Sequence, residues 1–143
     1  MIAYSTDVSV LDATRLTGFF VGWPAAPTAE RHLAALRGSH RVVLALDGDR
    51  VVGFVNLISD GVLTGFVPWL EVLPEYQKRG IGAELVRRIL AEAGHLYSVD
   101  LVCDPDVKPF YDRLGLFELV GMGVRNRAVL TGGPGAGESK GLV

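Results

Sequence analysis

The sequence predicts an α+β domain, with helices packed on a sheet, and three features point there. Two apolar, β-forming runs, residues 41–46 and 51–58, flank Asp47-Gly48-Asp49. Asp-Gly between such runs is a strong hairpin signal. Residues 83–93 repeat their apolar positions at helical spacing instead. Between a third strand-like run and that helix lies Val72-Leu73-Pro74-Glu75-Tyr76-Gln77-Lys78-Arg79-Gly80-Ile81-Gly82-Ala83, a corner with a basic pair and two glycines. Backbone N–H groups at a helix start have no intrahelical partner, and the helix dipole there favours anions. Gly80 and Gly82 carry no Cβ, so the main chain can approach a phosphate closely, and Lys78 and Arg79 add positive charge.

Taken in order, residues 2–5 form a short first strand. Over residues 9–20, Val10, Leu11, Leu16, Phe19 and Phe20 describe an imperfect amphipathic helix, which Gly22 to Pro27 breaks. Thr28 caps a second helix with Ala29, Leu33 and Leu36 toward the core, and Gly38 stops it. The hairpin follows, and residues 62–73 make a third strand run. Pro68 lies inside that run and cannot donate to a ladder, so the pairing should bulge or break beside it. In the next helix Ile81, Leu85, Val86, Ile89, Leu90 and Ala93 form one apolar stripe, with Glu84, Arg87, Arg88 and Glu92 opposite. Glu84 and Arg88 are spaced for an ion pair in the favourable order, and Gly94 ends the helix. Residues 99–103 read as a strand, 107–114 as a short helix and 117–130 as one or two final strands. Residues 131–143 are glycine-rich with no core-forming run, a disordered tail behind one domain of residues 1–130.

At 143 residues the chain suits one self-sufficient core, and a formal net charge of -2 argues against nucleic acid as a partner. The one cysteine, Cys103, excludes an intrachain disulfide and, from its apolar run, is expected in the core. No apolar run approaches membrane-spanning length, and the N-terminus lacks the basic start and apolar stretch of a signal peptide. The expectation is a cytoplasmic protein that engages no membrane. Three scattered histidines and one cysteine offer no metal-ligand spacing, and His40 and His95, at element boundaries, read as surface residues.

Two familiar phosphate loops do not fit. No Gly-x-x-x-x-Gly-Lys-Ser/Thr run exists, and the third position of a Gly-x-Gly-x-x-Gly fingerprint is Leu85. The run Gln77-x-x-Gly80-x-Gly82-Ala83 instead resembles the pyrophosphate loop of the GCN5-related N-acetyltransferases, the GNAT superfamily. Val72-x-Pro74 sits where that superfamily ends its central strand. Phe110-Tyr111-Asp112-Arg113-Leu114-Gly115-Leu116 resembles its second signature, a Tyr on a short helix followed by Gly. The resemblance covers roughly residues 42–119. Departures are Asp104 where many members carry Asn, Val107 at a usually small position, and Pro109 at the helix start.

The resemblance implies a mixed, mostly antiparallel central sheet flanked by helices, with a splayed central strand forming the acyl-CoA cleft. It implies acetyl-CoA as co-substrate, with the pyrophosphate on the N–H groups of Lys78, Arg79, Gly80, Ile81, Gly82 and Ala83 beside Gln77. The pantetheine arm would add to the open strand edge at Leu70 to Val72, as extended peptides add to sheets. Asp104 and Phe110 complete the expected cofactor contacts. A backbone N–H near Val72 could polarise the thioester carbonyl. The acceptor would be a primary amine of a small molecule or peptide, and relatives are often homodimers.

A lysine-like amine has a pKa of about 10.4, so it must lose a proton before it attacks. Some relatives place the acid for this where Phe66 stands here. Glu71 is the nearest acid on the strand and the candidate base; it reads equally as a solvated strand residue. Tyr111 matches the residue that family members use to donate to the leaving thiolate; the bland alternative is an aromatic packing on the core. Trp23, His32, Phe66, Trp69 and Tyr76 are candidates for the acceptor side. A cofactor-binding module without turnover is the alternative function.

Overall fold

The computed structural model describes residues 1–131. The glycine-rich tail from residue 132 lies outside the described residues. The sheet holds β1 (Ala3–Ser5), β2 (Arg41–Asp47), β3 (Arg50–Ser59), β4 (Thr64–Phe66), β5 (Leu70–Val72) and β6 (Ser98–Asp100). Its order is β1-β2-β3-β4-β6, with β5 also on β3. Every pairing is antiparallel except β4 with β6. The helices are α1 (Ala29–Arg37), α2 (Ile81–Glu92) and α3 (Lys108–Asp112).

The two faces of the sheet are covered by different helices. Gly53 of β3 and its partner Val72 of β5 face α2, where Leu85 closes over Gly53. Phe54 and its partner Glu71 face the other side, where His32 of α1 packs on Phe54. Thr28 caps α1 as expected, its hydroxyl accepting from Arg31 N at 3.2 Å. In α2 the stripe Ile81, Leu85, Val86 and Ile89 is buried, and Arg88 Nε donates to Glu84 Oε1 at 2.8 Å on the wet face.

Proline divides the third strand run in two. Ile58 pairs with Phe66 and Val55 with Leu70, so the register steps by one residue across Pro68. β4 stays between β3 and β6, and the last bond on that side is Val67 N to Asp100 O at 2.9 Å. Beyond it β5 keeps β3 as its one strand partner among the described residues, and residues 101–104, past the end of β6, belong to no strand.

Four expectations need correcting. Residues 9–20 do not form a helix; only a 3₁₀ turn, Ala13–Arg15, is present. The chain there turns at Gly18 (φ 93°) and Phe20 (φ 64°), yet Leu11, Leu16, Phe19 and Phe20 are buried. Apolar residues delivered by a loop fill the core as well as a helical stripe does. Residues 117–130 contribute no strand: no ladder partner among the described residues meets them, and Phe117, Val120 and Met122 are 79%, 93% and 91% exposed. The strand expected over 99–103 is Ser98–Asp100, because its partner β4 ends at Phe66. Cys103 is therefore past the sheet and exposed, not in the core. No described helix is long and apolar enough to cross a membrane.

Candidate active site

A 3₁₀ turn, Pro74–Tyr76, carries the chain from β5 to the head of α2. Lys78 (φ 62°) and Gly80 (φ 82°) both take left-handed backbone, and that reversal aims the first turn of α2 outward. Gly80 can do so without strain, because it lacks the Cβ that disfavours this region. No side chain caps the helix, and the bond from Glu84 N to Gly80 O at 3.1 Å is its first. The N–H groups ahead of it are left for a ligand. They open on a hollow of about 570 Å³, which Lys78, Arg87 and Arg113 also line. A Cβ on Gly80 would meet nothing within 4 Å; one on Gly82 would rest on Phe110 at 3.7 Å and Val72 at 3.8 Å. Free donors, three cations and open space fit a diphosphate.

A second cavity, of about 420 Å³, begins where the hollow ends, and Val72 and Gln77 line both. One wall is Val67 to Val72, including the open edge of β5; opposite stand Val102, Cys103, Asp104, Val107 and Tyr111. Leu73 N donates to Val52 O and Trp69 O accepts from Asn56 N, so residues 69, 71 and 73 turn their main chain toward β3. By the alternation of a strand, Leu70 and Val72 turn theirs to the cleft. The Val72 carbonyl there accepts from Gln77 Nε2 at 3.0 Å.

Glu71 is not a solvated strand residue. Its Oε1 accepts from Phe20 N at 2.6 Å and Val21 N at 3.3 Å, which ties the loop before α1 to the sheet. Burial raises its carboxyl above the usual range, and those two backbone bonds oppose the rise. The remaining oxygen has no protein partner among the described residues, and the residue lines the cleft. Tyr111 is half-buried on α3, edge-on to Phe110 with ring centroids 4.9 Å apart. Burial first, and then charge on nearby Cys103, pushes its phenol up to about 12.

The expected site residues thus fall in two adjoining spaces. Lys78, Gly80, Ile81, Gly82, Ala83 and Phe110 line the hollow; Leu70, Glu71, Asp104 and Tyr111 line the cleft; Val72 and Gln77 line both. Arg79 is elsewhere: its guanidinium lies 5.0 Å from the Tyr76 ring centre and donates to Glu75 O at 3.0 Å. Of the acceptor-side candidates, Trp23 and Trp69 line the cleft. Tyr76 belongs to the hollow, Phe66 is exposed outside the cleft, and His32 is a core residue. His40, read as a surface residue, is half-buried against Gly61. Sequence reasoning missed Arg87 and Arg113. Arg87 had a signal, since it lies one turn after Ala83 on the polar face and a helical side chain leans toward its N-terminus. Arg113 had none beyond its motif. A third, largely apolar hollow near β6 and α3 is lined by Leu90, Val99, Leu101 and Phe117. Among the described residues no cluster of His, Cys, Asp and Glu could hold a metal ion.

The profile of the Acetyltransferase (GNAT) family matches residues 10–116. A mycothiol acetyltransferase of Mycobacteroides abscessus is 36% identical over 90 residues, 59% of this chain and 28% of that protein. The chain thus spans less than a third of the length of that curated relative. Among solved structures, a candidate acetyltransferase from Deinococcus radiodurans R1 superposes with a TM-score of 0.88 and 44% identity, over 93% of this chain and 94% of the other. A GNAT-family acetyltransferase from Streptococcus pneumoniae TIGR4 gives a TM-score of 0.72 at 35% identity, over 89% and 99%.

Proposed function

The chain belongs to the GNAT family of acetyltransferases, and from that premise we propose that it moves an acetyl group from acetyl-CoA to a primary amine of a small molecule or peptide by direct attack on the thioester. The observation that carries this is the open edge of β5. It joins the diphosphate-fitting hollow to the cleft that holds Glu71 and Tyr111, with Val72 and Gln77 shared between them.

The hollow binds the charged end of the co-substrate through the α2 N–H groups, Lys78, Arg87 and Arg113. The exposed main chain of Leu70 and Val72 pairs with the pantetheine arm, and Gln77 must then release or share the Val72 carbonyl. When bound, acetyl-CoA supplies an activated acyl carbon. The Val72 N–H, fixed in the strand, stabilises charge that grows on the acyl oxygen during attack. Glu71 takes the proton of the incoming amine on its free oxygen, directly or through one water. Its burial makes it a stronger base than an exposed carboxylate. The new C–N bond forms as the C–S bond breaks, and Tyr111 donates a hydrogen bond to the departing sulfur. A phenol near 12 stays protonated throughout, so it acts as a donor and not as the source of a full proton.

Calorimetry with acetyl-CoA tests the binding half, and chromatographic detection of free CoA across an amine panel tests turnover. Cys103 is exposed, so a thiol reagent would report it as well. No binding at millimolar acetyl-CoA would end the proposal, whereas tight binding with no turnover on a broad panel selects the module without catalysis. A homodimer belongs to the same proposal, since Phe117, Leu119, Val120, Met122 and Val124 expose apolar surface that a second copy would cover. A monomer by light scattering removes it.

A further inference from the structure

The charge along the two joined spaces is divided. The hollow is lined by Lys78, Arg87 and Arg113. Among the described residues the cleft is lined by Glu71 and Asp104 and by no Lys, Arg or His. An acceptor carrying a phosphate or carboxylate would meet only like charge there and nothing to neutralise it. A protonated amine meets Glu71 instead. The β5 side of the cleft is aromatic. Trp23 and Trp69 stand with ring centroids 6.3 Å apart, and both pack edge-on against Phe20, at 4.8 and 6.3 Å. Phe20 is locked in turn, because its N–H is held by Glu71 at 2.6 Å. The main chain of both tryptophans is anchored: Trp23 N donates to Phe20 O at 3.3 Å, and Trp69 O accepts from Asn56 N at 3.3 Å. The rings are half-buried, so each has surface left for a guest. A rigid aromatic wall beside a carboxylate is a site for a cation on an apolar body.

We propose that the acceptor is a primary amine carried on an aromatic or other apolar body and bearing no anionic group. The proposal rests on the acetyl-transfer reading and narrows it to one substrate class. Trp23 and Trp69 hold the apolar body, and Glu71 receives the ammonium end. A polar amine of equal charge has no apolar body to bury against the indoles. An amino acid adds a carboxylate beside Glu71 and Asp104, which no described cation compensates.

The chain has two tryptophans and both line this cleft, so intrinsic fluorescence reports its occupant without any turnover. The full chain, free and saturated with CoA, is titrated with 2-phenylethylamine, L-phenylalanine and ethanolamine. The expected result is a saturable change with 2-phenylethylamine at a Kd about tenfold or more below those of the other two. Trp69→Leu and, separately, Trp23→Leu should each weaken 2-phenylethylamine about tenfold while acetyl-CoA affinity is kept. Equal or tighter binding of L-phenylalanine or ethanolamine overturns the proposal. So does unchanged 2-phenylethylamine affinity in both folded variants. Failure of CoA to bind would instead strike at acetyl transfer, and the titration of the free chain still decides the acceptor class.

Discussion

Replacing Tyr111 by Phe removes one oxygen atom and separates chemistry from packing. The ring stays, with its edge-on contact to Phe110. The hydroxyl makes no hydrogen bond to protein among the described residues, so the fold loses nothing that depended on it. Thermal stability should therefore change by no more than the usual surface substitution, about 0.5 kcal/mol. Catalysis should change far more. A hydrogen bond to a charged group is worth about 1.5–3 kcal/mol, and at about 1.36 kcal/mol per decade that is roughly a tenfold to hundredfold fall in kcat. Full proton transfer is not on offer: a phenol near 12 stands about three and a half pKa units above a free thiol near 8.5, and each unit costs about 1.36 kcal/mol. The alkaline side of the pH–rate profile should thus keep its shape in the variant, since no ionisation of Tyr111 falls within it. The assay is CoA release at saturating acetyl-CoA with 2-phenylethylamine as acceptor, beside calorimetric acetyl-CoA affinity. A fully active variant refutes the role. A loss of acetyl-CoA affinity as large as the loss of kcat would make Tyr111 a wall of the cleft and nothing more.

Three further outcomes follow from the same geometry. Gly82→Glu should abolish acetyl-CoA binding by calorimetry while the chain stays folded, because a Cβ there makes ordinary contacts and only the carboxylate enters the hollow; retained affinity would place the phosphate site elsewhere. Glu71→Gln keeps an oxygen for Phe20 N and Val21 N but loses the base, so kcat/KM at neutral pH should fall about 10²–10⁴-fold and partly recover at high pH, where more amine is already neutral. His32 is 2% exposed, neither ring nitrogen has a partner among the described residues, and burial lowers its pKa from 6.5 to about 4. The unfolded chain then binds the proton first, so stability declines as pH falls below 6.5 and the loss is complete near 4. Over that window the cost is about 3 kcal/mol. Urea unfolding of His32→Leu should lack this slope relative to the parent; Glu71, whose raised pKa works in the opposite sense, cancels in the difference. A parent-minus-variant difference that is flat with pH would show that His32 is not held neutral by its surroundings.

Several parts of the site were legible because their signals are local. Gly80 reverses the chain through its own φ, Thr28 caps α1 three residues ahead, and α2 buries a stripe set by its own period. Pro68 announced the break between β4 and β5 because a missing N–H acts at its own position. The failures share the opposite trait. Residues 9–20 were spaced like a helix, but their apolar side chains reach the core from a turning loop, and spacing alone cannot tell the two apart. The partner of Glu71 lies 51 residues away in sequence, so nothing around Glu71 distinguishes a tethered, half-buried acid from a solvated one. Cys103 looked internal because its neighbours are apolar, yet the sheet ends before it.

Composition, period and the glycine-opened corner by themselves determined that this chain builds helices on a sheet and leaves free N–H groups at the head of one of them. These properties follow from backbone chemistry within a few residues. Only the tertiary structure decided what that corner adjoins. It set Tyr111 across from β5, tied Glu71 to the loop carrying Trp23, and kept every described Lys, Arg and His out of the cleft. Those relations depend on where distant segments meet, and chain closure over tens of residues is a property of the whole packed core.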